Sequence, residues 1–260
     1  MRLRTIAIAL LVSASTLLGQ VAFLSCSQID DRDPSNPRAA IINQLSIRYP
    51  NQAFIEEITQ YLEDCGYAVD TFQGEAVTVD LYRKLPQRQY KLILFRVHSG
   101  LLGVDPKVTE KTWLFTAEPY SELKYVTEQL TDQITYAKTR EEYPWLFAVS
   151  AKFITDSLDG EFDNTVIIMM GCDGLNFDDL AQAFVDRGAS AYVAWDSSVG
   201  INYVDGATTA LIEQLCSKEL TLRAAVTETM KEKGPDPKYG AALKYYPPAS
   251  AEKTLKQLIN

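Results

Sequence analysis

A chain of 260 residues, 47% of them hydrophobic, can bury a full-sized core, as one large α/β domain or two small ones. With 13 glycines and 11 prolines and no internal repeat or low-complexity tract, it belongs to neither the disordered nor the fibrous class. A net charge of −9 argues against phosphate-backbone binding, so no nucleic-acid partner is expected, and four cysteines without a C-x-x-C pair argue against structural zinc.

Met1 to Arg4 supply two positive charges, Thr5 to Leu18 carry none, and Val21 to Leu24 form a second apolar patch. Residues 1–25 therefore read as an export signal. The sequence Phe23-Leu24-Ser25-Cys26 resembles a bacterial lipoprotein signal, with Cys26 lipidated after cleavage. Simple signal cleavage is an alternative, and so is an uncleaved anchor, because Thr5 to Ser25 make 21 residues and just span a bilayer. All three place the domain outside the cytoplasm and confine membrane contact to the N-terminus. Residues 26–38 contain Asp30, Asp31, Asp33, Pro34 and Pro37 and too little apolar surface to pack, which describes a flexible tether.

Residues 39–260 alternate short apolar runs with helix-period segments, the pattern of a mainly parallel sheet with helices on both faces. Ala39 to Leu45 is the first strand, and Asn51 to Cys65 a helix with Phe54, Ile58, Tyr61 and Leu62 on one face and Gly66 as its stop. Tyr67 to Phe72 is a strand and Val77 to Lys84 a helix. Tyr90 to Val97 follows, whose continuous apolarity suits a central parallel strand ending at His98-Ser99-Gly100. Residues 101–157 break the rhythm and read as an insertion, with a strand at Thr112 to Thr116, a helix at Ser121 to Lys138 and an extended piece at Trp145 to Ser150. Thr165 to Met170 is the strongest strand signal and stops at Gly171-Cys172-Asp173-Gly174. A helix at Phe177 to Arg187, a strand at Ala189 to Trp195 ending in Asp196, helices at Val204 to Cys216 and Thr221 to Lys233, a last strand at Ala241 to Tyr246 and a closing helix capped by Ser250 complete the chain.

Ligands of open α/β sheets bind beyond the carboxyl ends of the strands. Three strands end there in chemically useful residues: His98, the only histidine, Cys172 and Asp196. An imidazole beside a thiol suits nucleophilic catalysis near neutral pH. Gly100 and Gly171 let main-chain N–H groups approach a substrate, and the N–H groups of Gly100 and Cys172 are the candidate oxyanion donors.

An apolar strand ending in His-x-Gly, followed later by one ending in Gly-Cys, resembles the signature of the caspase-like cysteine peptidases, among them caspases, legumain, clostripain, gingipains, separase and the CHAT domains. Here it spans Ile93 to Gly100 and Val166 to Cys172, and Gly188 to Asp196 is similar to the CHAT and gingipain type. The resemblance implies a three-layer α/β/α caspase-like domain, a His98–Cys172 dyad that cuts peptide or protein substrates through a thioester, and an acid-lined pocket preferring Arg or Lys. Asp196 is the first candidate for that acid and Asp173 the second. Met170 departs from relatives that keep an acid two residues before the cysteine. Asp173, Asp178 and Asp179 could form a calcium site as in some relatives, but acids at a helix start more often serve the dipole, so no metal or cofactor is expected.

Bland alternatives stand beside these readings. A strand-end Asp such as Asp196 commonly caps a loop, Trp113, Trp145 and Trp195 are core or pocket wall, and Cys65 and Cys216 form either a disulfide or two buried thiols. An exported caspase-like lipoprotein without turnover, serving as a binding or scaffolding module, is the second functional reading, and a periplasmic ligand-binding lobe the third.

Overall fold

The computed structural model describes residues 36–104 and 107–260. The export segment, Cys26 and most of the tether lie outside the described residues. Arg38, expected at the tether's end, opens the first strand instead, with its guanidinium over the Tyr90 ring and ion-paired to Asp70.

Ten strands occur among the described residues: β1 Arg38–Asn43, β2 Ala68–Gln73, β3 Tyr90–Arg96, β4 Ser99–Val104, β5 Lys107–Pro119, β6 Ile134–Ala137, β7 Leu146–Val149, β8 Thr165–Met169, β9 Ala189–Trp195 and β10 Leu243–Tyr246. The helices are α1 Gln52–Asp64, α2 Val79–Arg83, α3 Val126–Leu130, α4 Ala151–Ser157, α5 Asp179–Asp186, α6 Ile201–Ile212, α7 Leu222–Lys233 and α8 Leu255–Leu258. The main sheet has the order β10-β9-β8-β3-β1-β2 and is parallel except for β10, which runs against β9.

Alternate residues of the central strands feed two cores, which makes the architecture a three-layer α/β/α arrangement. Ile93, Phe95, Ile167 and Met169 face α2, α4 and α5, whereas Leu92, Leu94, Val166 and Ile168 face α1, α6, α7 and α8. Burial on both faces is why these strands are continuously apolar rather than alternating. Asn51 caps α1 by accepting from Phe54 N–H at 3.2 Å, and Gly66, at φ +86°, turns the chain out of it.

The insertion differs from its expected form. After His98 the chain continues as β4 and reverses into β5, and a second, antiparallel sheet of order β4-β5-β7-β6 packs Leu114, Ile134 and Phe147 into the first core. The helix expected over Ser121 to Lys138 is reduced to α3, because Tyr125 and Asp132 take left-handed conformations at φ +51° and +57° on either side of it. Ile134 to Ala137 then pair with β7. At the C-terminus Thr254, not Ser250, caps the last helix, through a capping box with Gln257, while the Ser250 hydroxyl donates to Ser190 O at 2.6 Å. Trp113 and Trp195 are buried, but Trp145 is 44% exposed beneath the Lys138 ammonium. Cys65 and Cys216 are free thiols.

One buried ion pair fixes the carboxyl edge of the sheet. Arg96, the last residue of β3, is 1% exposed, and its Nε and one terminal nitrogen each donate to the Asp205 carboxylate of α6 at 2.8 Å. Its other terminal nitrogen donates to Asn43 Oδ1 and Tyr49 O, both at 3.0 Å. Asn51 Nδ2 donates to Asp205 at 2.9 Å, so α1 joins the same network. Breaking one partner of such a pair leaves a buried charge without compensation. Asp205→Asn should lower unfolding free energy by about 3–5 kcal/mol, measured as a reduced urea midpoint at unchanged slope. A loss below about 1 kcal/mol would show that the edge is held by other means.

Candidate active site

His98 and Cys172 stand at the same level of the carboxyl edge. Strands β3 and β8 are parallel neighbours whose register ends at Phe95 opposite Met169, and each of the two residues lies three positions further on. Ser99 joins the segments, its hydroxyl donating to Cys172 O at 2.6 Å. Gly171 is required by that approach: a Cβ there would lie 2.1 Å from Ser99 Oγ and 2.7 Å from Val97 O. Its small size therefore serves internal packing rather than a substrate.

The two side chains turn away from this bridge in different directions. The His98 main chain is held by Gln44 Oε1, which accepts from its N–H at 3.0 Å, and by Phe115 N–H, which donates to its carbonyl at 3.0 Å. The ring stands edge-on to Tyr49 and Phe115, with centroids 5.9 and 6.0 Å away, and makes no hydrogen bond with the described residues. It faces a cleft of about 500 Å³. Cys172 packs against the opposite core, where Sγ accepts from Val199 N–H at 3.4 Å and faces Val199 O at 3.7 Å. That loop is fixed by Asp236, whose carboxylate accepts from Gly200 N–H at 2.8 Å and from the N–H groups of Lys238 and Tyr239.

Electrostatics keep both groups neutral at pH 7. Burial, and after it the Arg96 charge, lowers the His98 pKa from 6.5 to about 4. Burial raises the Cys172 pKa; the Val199 N–H lowers it and the Asp173 carboxylate raises it further. The pair is thus imidazole and thiol rather than imidazolium and thiolate.

The remaining predicted residues occupy varied settings. Among the described residues no acceptor takes the Cys172 N–H, so that donor is available, whereas Gly100 pairs with Trp113 in the β4/β5 ladder. Asp196 is engaged on both carboxylate oxygens: Oδ1 accepts from Ala242 N–H at 2.8 Å and Oδ2 lies 3.5 Å from Lys244 Nζ. Asp173, at φ +58°, accepts from Asn176 at 3.1 Å and Ser198 at 3.4 Å. Asp179 accepts from Thr112 N–H at 3.0 Å, and burial raises its pKa, while Asp178 makes no capping bond to α5. Among the described residues no group of three or more His, Cys, Asp or Glu side chains is placed to hold a metal ion.

Sequence reasoning missed Arg96, Ser99, Asp205 and Asp236, all of which position the two strand ends. Arg96 and Asp205 did carry a signal, each being a lone charge in an apolar stretch, Leu92 to Val97 and Val204 to Ile212.

No protein-family model matches the sequence, and neither does any curated protein. Among solved structures the chain is similar to the Arg-specific cysteine proteinase gingipain R, with a TM-score of 0.48 and 13% identity, over 76% of this chain. The match spans 42% of the gingipain chain, less than half its length.

The lone histidine provides a direct measurement. Folded His98 stays neutral down to about pH 4, whereas in the unfolded chain it takes a proton near 6.5. Between those values the unfolded state binds more protons, so this residue's contribution to stability is present above about pH 6.5 and is lost as pH falls toward 4, by up to about 3 kcal/mol. Proton NMR should show one imidazole resonance titrating near pH 4 in the folded chain; a midpoint near 6.5 would mean an open, solvated ring.

Proposed function

We propose that the chain is a cysteine-type hydrolase that cuts peptide bonds, with Cys172 as nucleophile and His98 as base, acting outside the cytoplasm with its N-terminal segment as signal or anchor. The observation that carries this reading is the placement of the only histidine and a cysteine whose N–H has no acceptor among the described residues at matching positions beyond two adjacent parallel strands.

Attack begins when the Cys172 side chain rotates away from Val199 toward the His98 side of the Ser99 bridge. The thiol proton passes to an imidazole nitrogen as sulfur bonds to the substrate carbonyl carbon, and the Cys172 N–H donates to the oxyanion. The imidazolium then protonates the departing amine. Water, deprotonated by the same imidazole, hydrolyses the thioester and restores the thiol. In the resting neutral pair the imidazole carries a free lone pair to accept the thiol proton as the sulfur attacks. Asp196 is given no selectivity role, because its carboxylate already serves Ala242 and Lys244. One observation favours a second reading, a binding module without turnover: in the resting structure Sγ bonds to Val199 and not to the imidazole.

A chloromethyl ketone peptide probe should alkylate Cys172 well ahead of Cys65 and Cys216. Cleavage of a peptide library should fall by at least about a thousandfold in both Cys172→Ala and His98→Ala, as for residues that act as one unit. Near-normal turnover in either variant would sink the mechanism. Absence of cleavage together with alkylation of Cys172 no faster than that of Cys65 and Cys216 would overturn the hydrolase reading in favour of the binding module.

A further inference from the structure

The cleft that His98 faces is walled largely by apolar side chains. Its walls come from the turn after β1, the segment between β2 and α2, the end of β5 and the segment leading into β7, and they include Leu45, Phe115, Ala117, Pro119 and Leu146. At about 500 Å³ it falls in the size range of small-ligand pockets and holds an aromatic side chain with room to spare.

Three of the charged side chains around it are engaged within the fold. Arg48 lies over the Tyr143 ring at 4.6 Å. Lys138 pairs with Glu141 and covers Trp145 at 4.3 Å. The buried Glu118 carboxylate accepts from Val79 N–H at 3.2 Å, from Lys124 at 2.9 Å and from the Tyr125 hydroxyl. Glu75 is the one charged wall residue without a partner among the described residues, and it is exposed to solvent. A guanidinium or ammonium entering the cleft would lose its hydration and meet no free buried carboxylate, which is unfavourable. A large uncharged side chain would give up only apolar surface to water-free contact.

We infer that this cleft receives the substrate side chain next to the cut bond and selects a large apolar group, such as Phe, Tyr or Leu, over Arg or Lys. The inference rests on the hydrolase reading for the word substrate, while the cleft's choice of ligand is measurable without turnover.

The single imidazole resonance of His98 serves as the reporter on the wild-type chain. N-acetyl-phenylalaninamide and N-acetyl-leucinamide should shift it saturably, with affinity at least about tenfold above N-acetyl-argininamide or N-acetyl-alaninamide, as burial of a full apolar side chain implies. Ile47 lines the same cleft and is 49% exposed, so Ile47→Asp should fold normally, weaken the phenylalanine amide about tenfold and strengthen the arginine amide. In the peptide library the same order should appear in kcat/KM. Binding in this order without cleavage upholds the cleft and overturns the hydrolase reading. Cleavage with a preference for Arg or Lys, an arginine amide that binds as well as the phenylalanine amide, or no shift with any amide overturns the cleft while leaving the dyad to its own test.

Discussion

The Arg96 guanidinium, buried at the end of the central strand, is the constraint on which the site depends. A charge in that position is costly unless its donors are met, and here Asp205, Asn43 and the Tyr49 carbonyl meet them. Those partners come from β1, the loop after it, and α6, so the ion pair ties together segments more than a hundred residues apart. His98 follows two residues later and inherits the position. It also inherits the field, since Arg96 acts with burial to keep the imidazole neutral. The guanidinium that holds the edge together thus also lowers the proton affinity of His98.

Around that anchor a single side chain ties the two strand ends together. Ser99 bonds to the Cys172 carbonyl, and Gly171 makes the approach possible by having no Cβ. The imidazole is then packed between Tyr49 and Phe115, while the thiol is held by Val199 on a loop that Asp236 fixes. Two neutral groups, each held by its own set of contacts, thus stand beyond adjacent strand ends joined by one hydrogen-bonded bridge.

The distribution of acids illustrates how little net charge says about a pocket. The chain is strongly acidic, yet at this edge Asp196 serves β10, Asp205 serves Arg96 and Asp236 serves a loop. What remains beside His98 is a largely apolar cleft on whose rim Arg48 and Lys138 are engaged and Glu75 is turned to solvent.

Local pattern decided much of this architecture. Strands β3, β8 and β9 announce themselves by continuous apolar runs, because a strand buried on both faces has no solvent side to record, and α1 by its 3.6-residue period between Asn51 and Gly66. The same logic placed His98 and Cys172 at the carboxyl ends of their strands. It failed at Ser121 to Lys138, where left-handed residues at Tyr125 and Asp132 break a plausible helix and pairing with β7 recruits its second half into a sheet, and at β4, which forms only because β5 lies beside it. Above all, the sequence determined that a base and a thiol reach one edge of one sheet, since strand ends are set by neighbouring residues. Which way each side chain turns, which carboxylates are taken and what cleft the base faces were decided by Tyr49, Phe115, Val199, Ala242 and Lys244, contacts made by residues remote in the chain, and such contacts leave no periodic trace in it.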